Sequence, residues 1–208
     1  MKQKIFTGFA AEKFLSKYLS TSKNQLVHSA KEIKIKTPLV LKIISPDALH
    51  KSDIKGVRII KNHSDIESEF NELIRIAKKR KLKLEGIMVQ EFIEGEKLIL
   101  GIKKDPTFNH IILFGLGGIF TEVLDDISTR KCPITISDAD EMINELKASK
   151  IFHGFRGIKL NTDILKNTLV KLSKIPLKHK SISELDINPF ILNEKSGIIV
   201  DARIVFGN

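Results

Sequence analysis

The chain has 208 residues, 42% hydrophobic and 29% charged, the balance of an ordinary globular protein with enough length for one well-buried core or two closely packed subdomains. No apolar run approaches the roughly 20 residues that span a bilayer, Met1 to Ala10 lacks the basic start and long apolar core of a secretory signal, and the single Cys132 excludes an internal disulfide, so the expected compartment is the cytoplasm. The 35 basic and 25 acidic residues leave a net charge of +10, but the lysines are spread along the chain and there is one tyrosine and no tryptophan, which argues against a nucleic-acid binder with an aromatic stacking platform.

Taken in chain order, the pattern alternates helices and strands without a repeat or a low-complexity linker. Glu12 to Leu19 reads as a short helix, followed by a polar connector, Ser20 to Asn24. Strands are expected at Leu39 to Ile44 and Val57 to Lys61, flanking a loop that carries His50. Ser64 with Glu67 forms a capping-box pattern, after which Ile66, Phe70, Leu73, Ile74 and Ala77 recur at helical spacing as core positions. The basic run Lys78 to Lys83 falls where that helix should end, and cations there oppose the macrodipole. Strands follow at Gly86 to Ile93, Lys97 to Lys104, His110 to Phe114 and Glu122 to Leu124. Ser137 and Asp138 open a helix with Met142, Ile143 and Leu146 on one face. Asp163 opens another with Leu165, Leu169 and Leu172.

Three segments carry chemistry. In FGLGGIFTEVLDDISTRKCP, Phe114 to Pro133, the glycines Gly115, Gly117 and Gly118 follow an apolar run and let backbone N–H groups approach an anion, while Arg130 offers a planar, permanently charged fork. A GLGG turn alone is more often just a tight turn at a strand end. In Ile182 to Ile204, Asp186, Asn188 and Asp201 sit on or beside two strand-like runs joined by the turn Asn193 to Gly197, and hard oxygen ligands at strand ends suit Mg²⁺, which takes one or two carboxylates plus substrate phosphates. The alternative is that Asp186 and Asn188 cap a turn before Pro189. In Pro38 to Ile59, Lys42 lies inside an apolar run, where an ammonium group is expensive to bury without an anion to meet it. His50 follows in a loop of cations and hydroxyls. His28, His63, His110, His153 and His179 show no metal-ligand spacing with one another or with Cys132.

Together the segments resemble the ATP-grasp beta subunit, or domain, of ADP-forming acetyl-CoA (acyl-CoA) synthetases, a cousin of the succinyl-CoA synthetase beta subunit. The motifs VLKIISPDALHKSD, MVQEFIEGEKLILGIKKDPTF, FGLGGIFTEVLDDISTRKCPI, GFRG and ELDINPF with VDARI occur in the family's order from about Pro38 to Phe206. The resemblance implies an α+β, ATP-grasp fold whose two α+β subdomains clamp a nucleotide, with approximate extents 20–90 and 91–208. It implies Mg²⁺ and ATP/ADP, and a phosphoryl transfer through a phosphohistidine in which His50 accepts the group.

By the same carry-over, Lys42 binds nucleotide phosphates, backbone groups from Gln90 to Ile93, near Glu91 and Ile93, bind the adenine edge, and Glu94 reaches the ribose. Gly117 and Gly118 approach the phosphates, Glu122 and Arg130 line the phosphate region, Asp186 lies beside the phosphohistidine, and Asn188 and Asp201 ligate magnesium. The family departs from this chain at two positions: it has a glycine where Lys55 stands and commonly a glutamate where Lys97 stands. No CoA-binding GxGxxG segment is recognisable, so a separate CoA-binding alpha subunit is the expected partner. The implied overall reaction is acyl-CoA + ADP + phosphate ⇌ acid + ATP + CoA. The other readings are an ATP-grasp ligase joining a carboxylate to an amine, and a nucleotide-binding regulatory subunit without turnover.

Overall fold

The apolar runs sort into two antiparallel sheets, each with its own core. The computed structural model describes residues 4–47, 54–117, 126–157 and 159–207. Contacts divide the chain into Ser22–Ile93 and a larger unit made of the residues up to Thr21 together with those from Glu94 onward. The N-terminal stretch therefore joins the C-terminal unit and does not precede a subdomain of its own.

In the smaller unit, β2 (Asn24–Val27), β3 (Leu39–Ile44), β4 (Val57–Ile60) and β5 (Gly86–Glu91) form a sheet in the order β2-β5-β3-β4. All six residues of β3 are buried, as expected of a central strand with β4 and β5 on either side. Helix α2 (Ile66–Lys79) turns Ile66, Phe70, Leu73 and Ala77 inward, a stripe at helical spacing that packs with Leu39, Leu41, Ile43, Ile87 and Val89. Each such side chain stabilises by roughly 1.5–3 kcal/mol when fully buried.

The expected Ser64–Glu67 capping box does not form. A 3₁₀ turn, His63–Asp65, precedes the helix, Asp65 is its N-cap without a side-chain cap bond, and the Ser64 hydroxyl donates to Asp65 Oδ1 at 3.1 Å. Seating Ile66 in the core moves the helix start past the pattern. At the far end Lys81 takes a left-handed φ of 55° and the Leu82 N–H closes on the Ala77 carbonyl at 3.0 Å, ending the helix inside the basic run.

The larger unit holds β1 (Lys4–Thr7), β6 (Glu96–Asp105), β7 (Asn109–Leu116), β8 (Ile127–Lys131), β9 (Ile182–Leu192), β10 (Gly197–Ile199) and β11 (Ala202–Phe206), ordered β1-β11-β9-β6-β7-β8 with β10 also on β9. Helices α1 (Phe9–Leu15), α3 (Ile136–Glu145), α4 (Thr162–Ser173) and the single turn α5 (Ile175–Lys178) complete it. Leu98, Leu100, Ile102, Ile112, Phe114, Leu185, Ile187 and Ile204 share one core with Met142, Ile143, Leu165, Leu169 and Leu172 of α3 and α4. With a period of two along each strand, the residues between them face the other way.

Helix α3 starts at Ile136, one residue before the expected opening, because Thr135 and Asp138 make a reciprocal capping box. Asn161 caps α4 by accepting from the Ile164 N–H at 3.0 Å. Strands β1, β2 and β8 were not expected from the sequence, and α1 begins at Phe9 and ends at Leu15 where a helix from Glu12 to Leu19 was expected. The strand expected at Glu122 to Leu124 lies outside the described residues. None of the described helices is long and apolar enough to cross a membrane.

Candidate active site

The long strand β9 sets the site in the larger unit. Leu185 and Ile187 point into the helix-covered core, so Glu184, Asp186 and Asn188 alternate onto the opposite sheet face. Asp201 ends the short link between β10 and β11. Its backbone carbonyl accepts the Asn188 N–H at 3.2 Å, and its Oδ1 accepts the Ala202 N–H at 3.0 Å. Asn188 and Asp201 thus come from neighbouring strands by direct backbone pairing, and Asp186 lies two residues back on the same face.

The charge around Asp186 is mostly negative. The Asp186 carboxyl is pushed up to about 6, first by burial, then by the negative charges of Glu184 and Asp201, with Arg203 pulling the other way. Excess negative charge beside hard carboxylate and amide oxygens is the donor set that Mg²⁺ accepts, and the residues present fit that ion. Among the described residues no group of three or more His, Cys, Asp or Glu side chains stands in metal-binding geometry, and the candidate pair is the Asn188 amide with the Asp201 carboxylate.

Arg130 is not part of this cluster. On β8 it is the register partner of Ile112 and Ser128 that of Phe114, which puts both side chains on the helix-covered face. There the Arg130 guanidinium grips both carboxylate oxygens of Glu145 and approaches Glu141 at 3.5 Å, while the Ser128 hydroxyl donates to Glu145 at 2.8 Å. These bonds hold the guanidinium further above its ordinary range and Glu145 below its own. The arginine clamps β8 to α3; it was grouped with the phosphate region for its planar charged fork and its place in the family motif.

Gly117 has a steric reason to be glycine. Its N–H donates to the Lys97 carbonyl at 2.7 Å, and a Cβ there would lie 2.9 Å from that oxygen. The donor is therefore spent on β6 in this structure. Gly118, Glu122 and His50 lie outside the described residues.

In the smaller unit Lys42 and Gln90 are both buried. Lys42 pairs in register with Met88 and Gln90 with Val40, so the two polar side chains are diagonal neighbours on one face of adjacent strands, away from α2. Glu91 accepts the Lys23 N–H on Oε1 at 2.8 Å, fixing the end of β5. Ile93 is half-buried and Glu94 exposed; the Glu94 carbonyl accepts from the Asn193 side chain at 2.7 Å. Lys55 adopts φ 55°, a conformation that costs an L-residue roughly 1–2 kcal/mol, and its carbonyl is held by Arg58 Nη1 at 2.7 Å. The departure from glycine noted at this position falls where glycine is conformationally favoured.

A profile of the ATP-grasp domain matches residues 3–206. The chain belongs to the ATP-grasp domain family. Among its ATP-grasp relatives, the beta subunit of acetate–CoA ligase [ADP-forming] I from Pyrococcus furiosus is 42% identical over 81% of this chain and 75% of its own length. Acetate–CoA ligase [ADP-forming] I from Archaeoglobus fulgidus is also 42% identical over 82% of this chain, but the match spans only 25% of that longer protein. Among solved ATP-grasp structures, the dinucleotide forming acetyl-coenzyme A synthetase 1 of Ca. Korarchaeum cryptofilum, in complex with coenzyme A and Ca-AMPCP, superposes with a TM-score of 0.93 at 36% identity, covering 98% of this chain and 93% of that one. A second form of that protein, with coenzyme A and Mg-AMPPCP and a phosphohistidine segment pointing towards the nucleotide binding site, superposes at 0.86 with 35% identity and the same coverage.

Arg203 and Glu184 were missed as site residues by the sequence reading. VDARI was noted as a motif, but period-two alternation along β11, which puts Arg203 on the Asp186 face, would have singled the arginine out.

Proposed function

We propose that this chain is the nucleotide-handling beta component of an ADP-forming acyl-CoA synthetase, working with a CoA-binding alpha partner to run acyl-CoA + ADP + phosphate ⇌ acid + ATP + CoA. The observation that carries the proposal is the Asp186, Asn188 and Asp201 group, hard oxygens brought together on one sheet of a chain that is similar to ADP-forming acetate–CoA ligases. Asn188 and Asp201 would hold Mg²⁺, which when bound supplies charge neutralisation at the phosphates. Lys42 binds the nucleotide phosphates and, being buried, gains most from an anion beside it. Backbone groups at Gln90, Glu91 and Ile93 take the adenine edge, Glu94 the ribose, and Gly117 and Gly118 shape the strand end next to the phosphates. Arg130 serves by bracing β8, which leaves the segment that carries Gly118 and Glu122.

His50 is the group that carries phosphate. With its second ring nitrogen protonated, the N–P bond breaks as the P–O bond to the terminal oxygen of ADP forms, and the imidazole leaves neutral, so atoms and charge balance. Asp186 is the acid assigned to orient the ring. Positioning and electrostatics supply the catalysis.

The test is to incubate the chain with γ-labelled ATP and Mg²⁺, map acid-labile, base-stable label, and assay CoA-dependent ATP formation after co-expression with a candidate alpha partner. Label is expected on His50, and His50→Ala should abolish exchange while ADP affinity stays within about tenfold. Label on another residue, or normal exchange by the alanine variant, overturns the relay.

A further inference from the structure

With a period of two along β7, the core-facing residues Phe114 and Ile112 are followed toward the start of the strand by a histidine. His110 is only 3% exposed, and its Nε2 lies 2.8 Å from the Ile182 carbonyl oxygen. A carbonyl only accepts, so Nε2 carries the proton and Nδ1 of the neutral ring offers a lone pair. No donor among the described residues meets Nδ1. An imidazole this deeply buried, with one nitrogen committed and the other free, keeps a hydrogen-bonding capacity that the fold does not use.

His110 lines a cavity of about 330 Å³ whose wall comes entirely from the larger unit, where the turn between β6 and β7, the end of β8 and the single turn α5 meet. That volume lies at the small end of the roughly 300–1,000 Å³ typical of ligand sites. Phe108 of the turn and Leu177 of α5 line it beside the buried Pro176, yet 48% and 57% of their own surface stays in water. The turn that presents Phe108 is held in shape by Asp105, whose Oδ1 accepts the N–H groups of Thr107 and Phe108, each at 2.8 Å. The charged side chains of the lining are Lys131 and Lys180, both exposed and neither ion-paired among the described residues, and no carboxylate is present in it. An apolar wall, positive charge and one free buried acceptor together select a ligand with an apolar body, an anionic group and a hydrogen-bond donor. Two lysine point charges without an arginine fork or a nest of backbone N–H groups suit a carboxylate better than a phosphate.

We propose that this cavity is a binding site for a small hydroxycarboxylate with an apolar body. The carboxylate meets Lys131 and Lys180, the hydroxyl donates to His110 Nδ1, and the body covers Phe108, Pro176 and Leu177. The site is separate from the Asp186, Asn188 and Asp201 group, because His110 lies on the helix-covered face of the sheet and Asp186 on the other. It does not depend on the phosphoryl relay.

The experiment titrates the whole chain with four probes, followed by amide chemical shifts in NMR: phenyllactate, hydrocinnamate (the same acid without the hydroxyl), phenylpropanol (no carboxylate) and lactate (no apolar body). Phenyllactate should shift the signals of Phe108, His110 and Leu177 saturably, with a Kd at or below about 1 mM. Hydrocinnamate should bind about 3- to 10-fold more weakly, the effect of one lost hydrogen bond, and phenylpropanol and lactate at least about tenfold more weakly. Lys131→Gln and Lys180→Gln should each weaken phenyllactate about 3- to 10-fold. Leu177→Glu, at an exposed position, should abolish binding while the thermal midpoint stays that of the parent. No saturable shift at about 10 mM phenyllactate, or shifts confined to residues around Asp186, would overturn the site. Equal binding of phenylpropanol and phenyllactate, or lysine variants that bind like the parent, would reduce the cavity to a nonspecific apolar surface and overturn it as well. Hydrocinnamate binding as tightly as phenyllactate would overturn the His110 contact and with it the hydroxyl in the ligand class.

Discussion

Replacing Asp186 with asparagine should stabilise the metal-free protein at neutral pH and should do nothing at pH 4. The carboxyl is raised from 3.8 to about 6, chiefly by burial and then by Glu184 and Asp201. A shift of about two units corresponds to roughly 3 kcal/mol, and partial solvent access reduces that to about 1.5–3 kcal/mol. The sign follows from proton linkage. Because the folded state holds this proton more tightly than the unfolded chain, the contribution of Asp186 is fully present below pH about 4 and is lost as pH rises through about 6. Asparagine has the same shape and no proton to lose, so the variant escapes the loss. For a chain of this size each kcal/mol moves the midpoint by about 2–4 °C, giving an expected gain of roughly 3–12 °C at pH 7.5 that shrinks to near zero at pH 4. Differential scanning fluorimetry of parent and variant from pH 4 to 8, in chelator and then with Mg-ADP, reads this directly, and the ligand should narrow the gap by stabilising the parent more. A gap that does not change with pH, or a variant less stable than the parent at pH 7.5, would refute the view of Asp186 as a buried acid charged against its surroundings.

Two other outcomes follow from the geometry. Asp201→Asn keeps an acceptor for the Ala202 N–H yet loses the charge, so Mg-ADP affinity should drop at least about tenfold with the metal-free midpoint little changed; Asn188→Ala should behave in parallel in calorimetric titration, and unaltered affinity in both would remove the pair from the metal site. Gly117→Ala forces a Cβ to within 2.9 Å of the Lys97 carbonyl oxygen, and the strand must shift to relieve it, at about 1–3 kcal/mol in urea unfolding; an unchanged unfolding midpoint would show that β6 and β7 separate there without cost.

The sequence by itself determined whatever depends on local periodicity and on short motifs. Leu39–Ile44 emerges with the expected bounds because six successive apolar-rich residues can only be a doubly covered strand or a buried helix turn, and Pro38 and the polar loop after it settle the choice. The core stripe of α2 was legible for the same reason, and the pairing of Asn188 with Asp201 followed from a turn flanked by two strands. Short or mixed segments were not legible: β1, β2 and β8 are four or five residues long with little alternation, and their strand character comes from the partner that each one pairs with. The structure alone decided which sheet face each charged side chain occupies. Arg130 and Arg203 look equivalent in sequence, each an arginine inside a motif. One turns to the helices and is consumed by Glu145, and the other faces Asp186 with a donor left over. A shift of one residue in register exchanges those fates, and register is fixed by the packing of the whole sheet, a non-local quantity that no window of sequence contains.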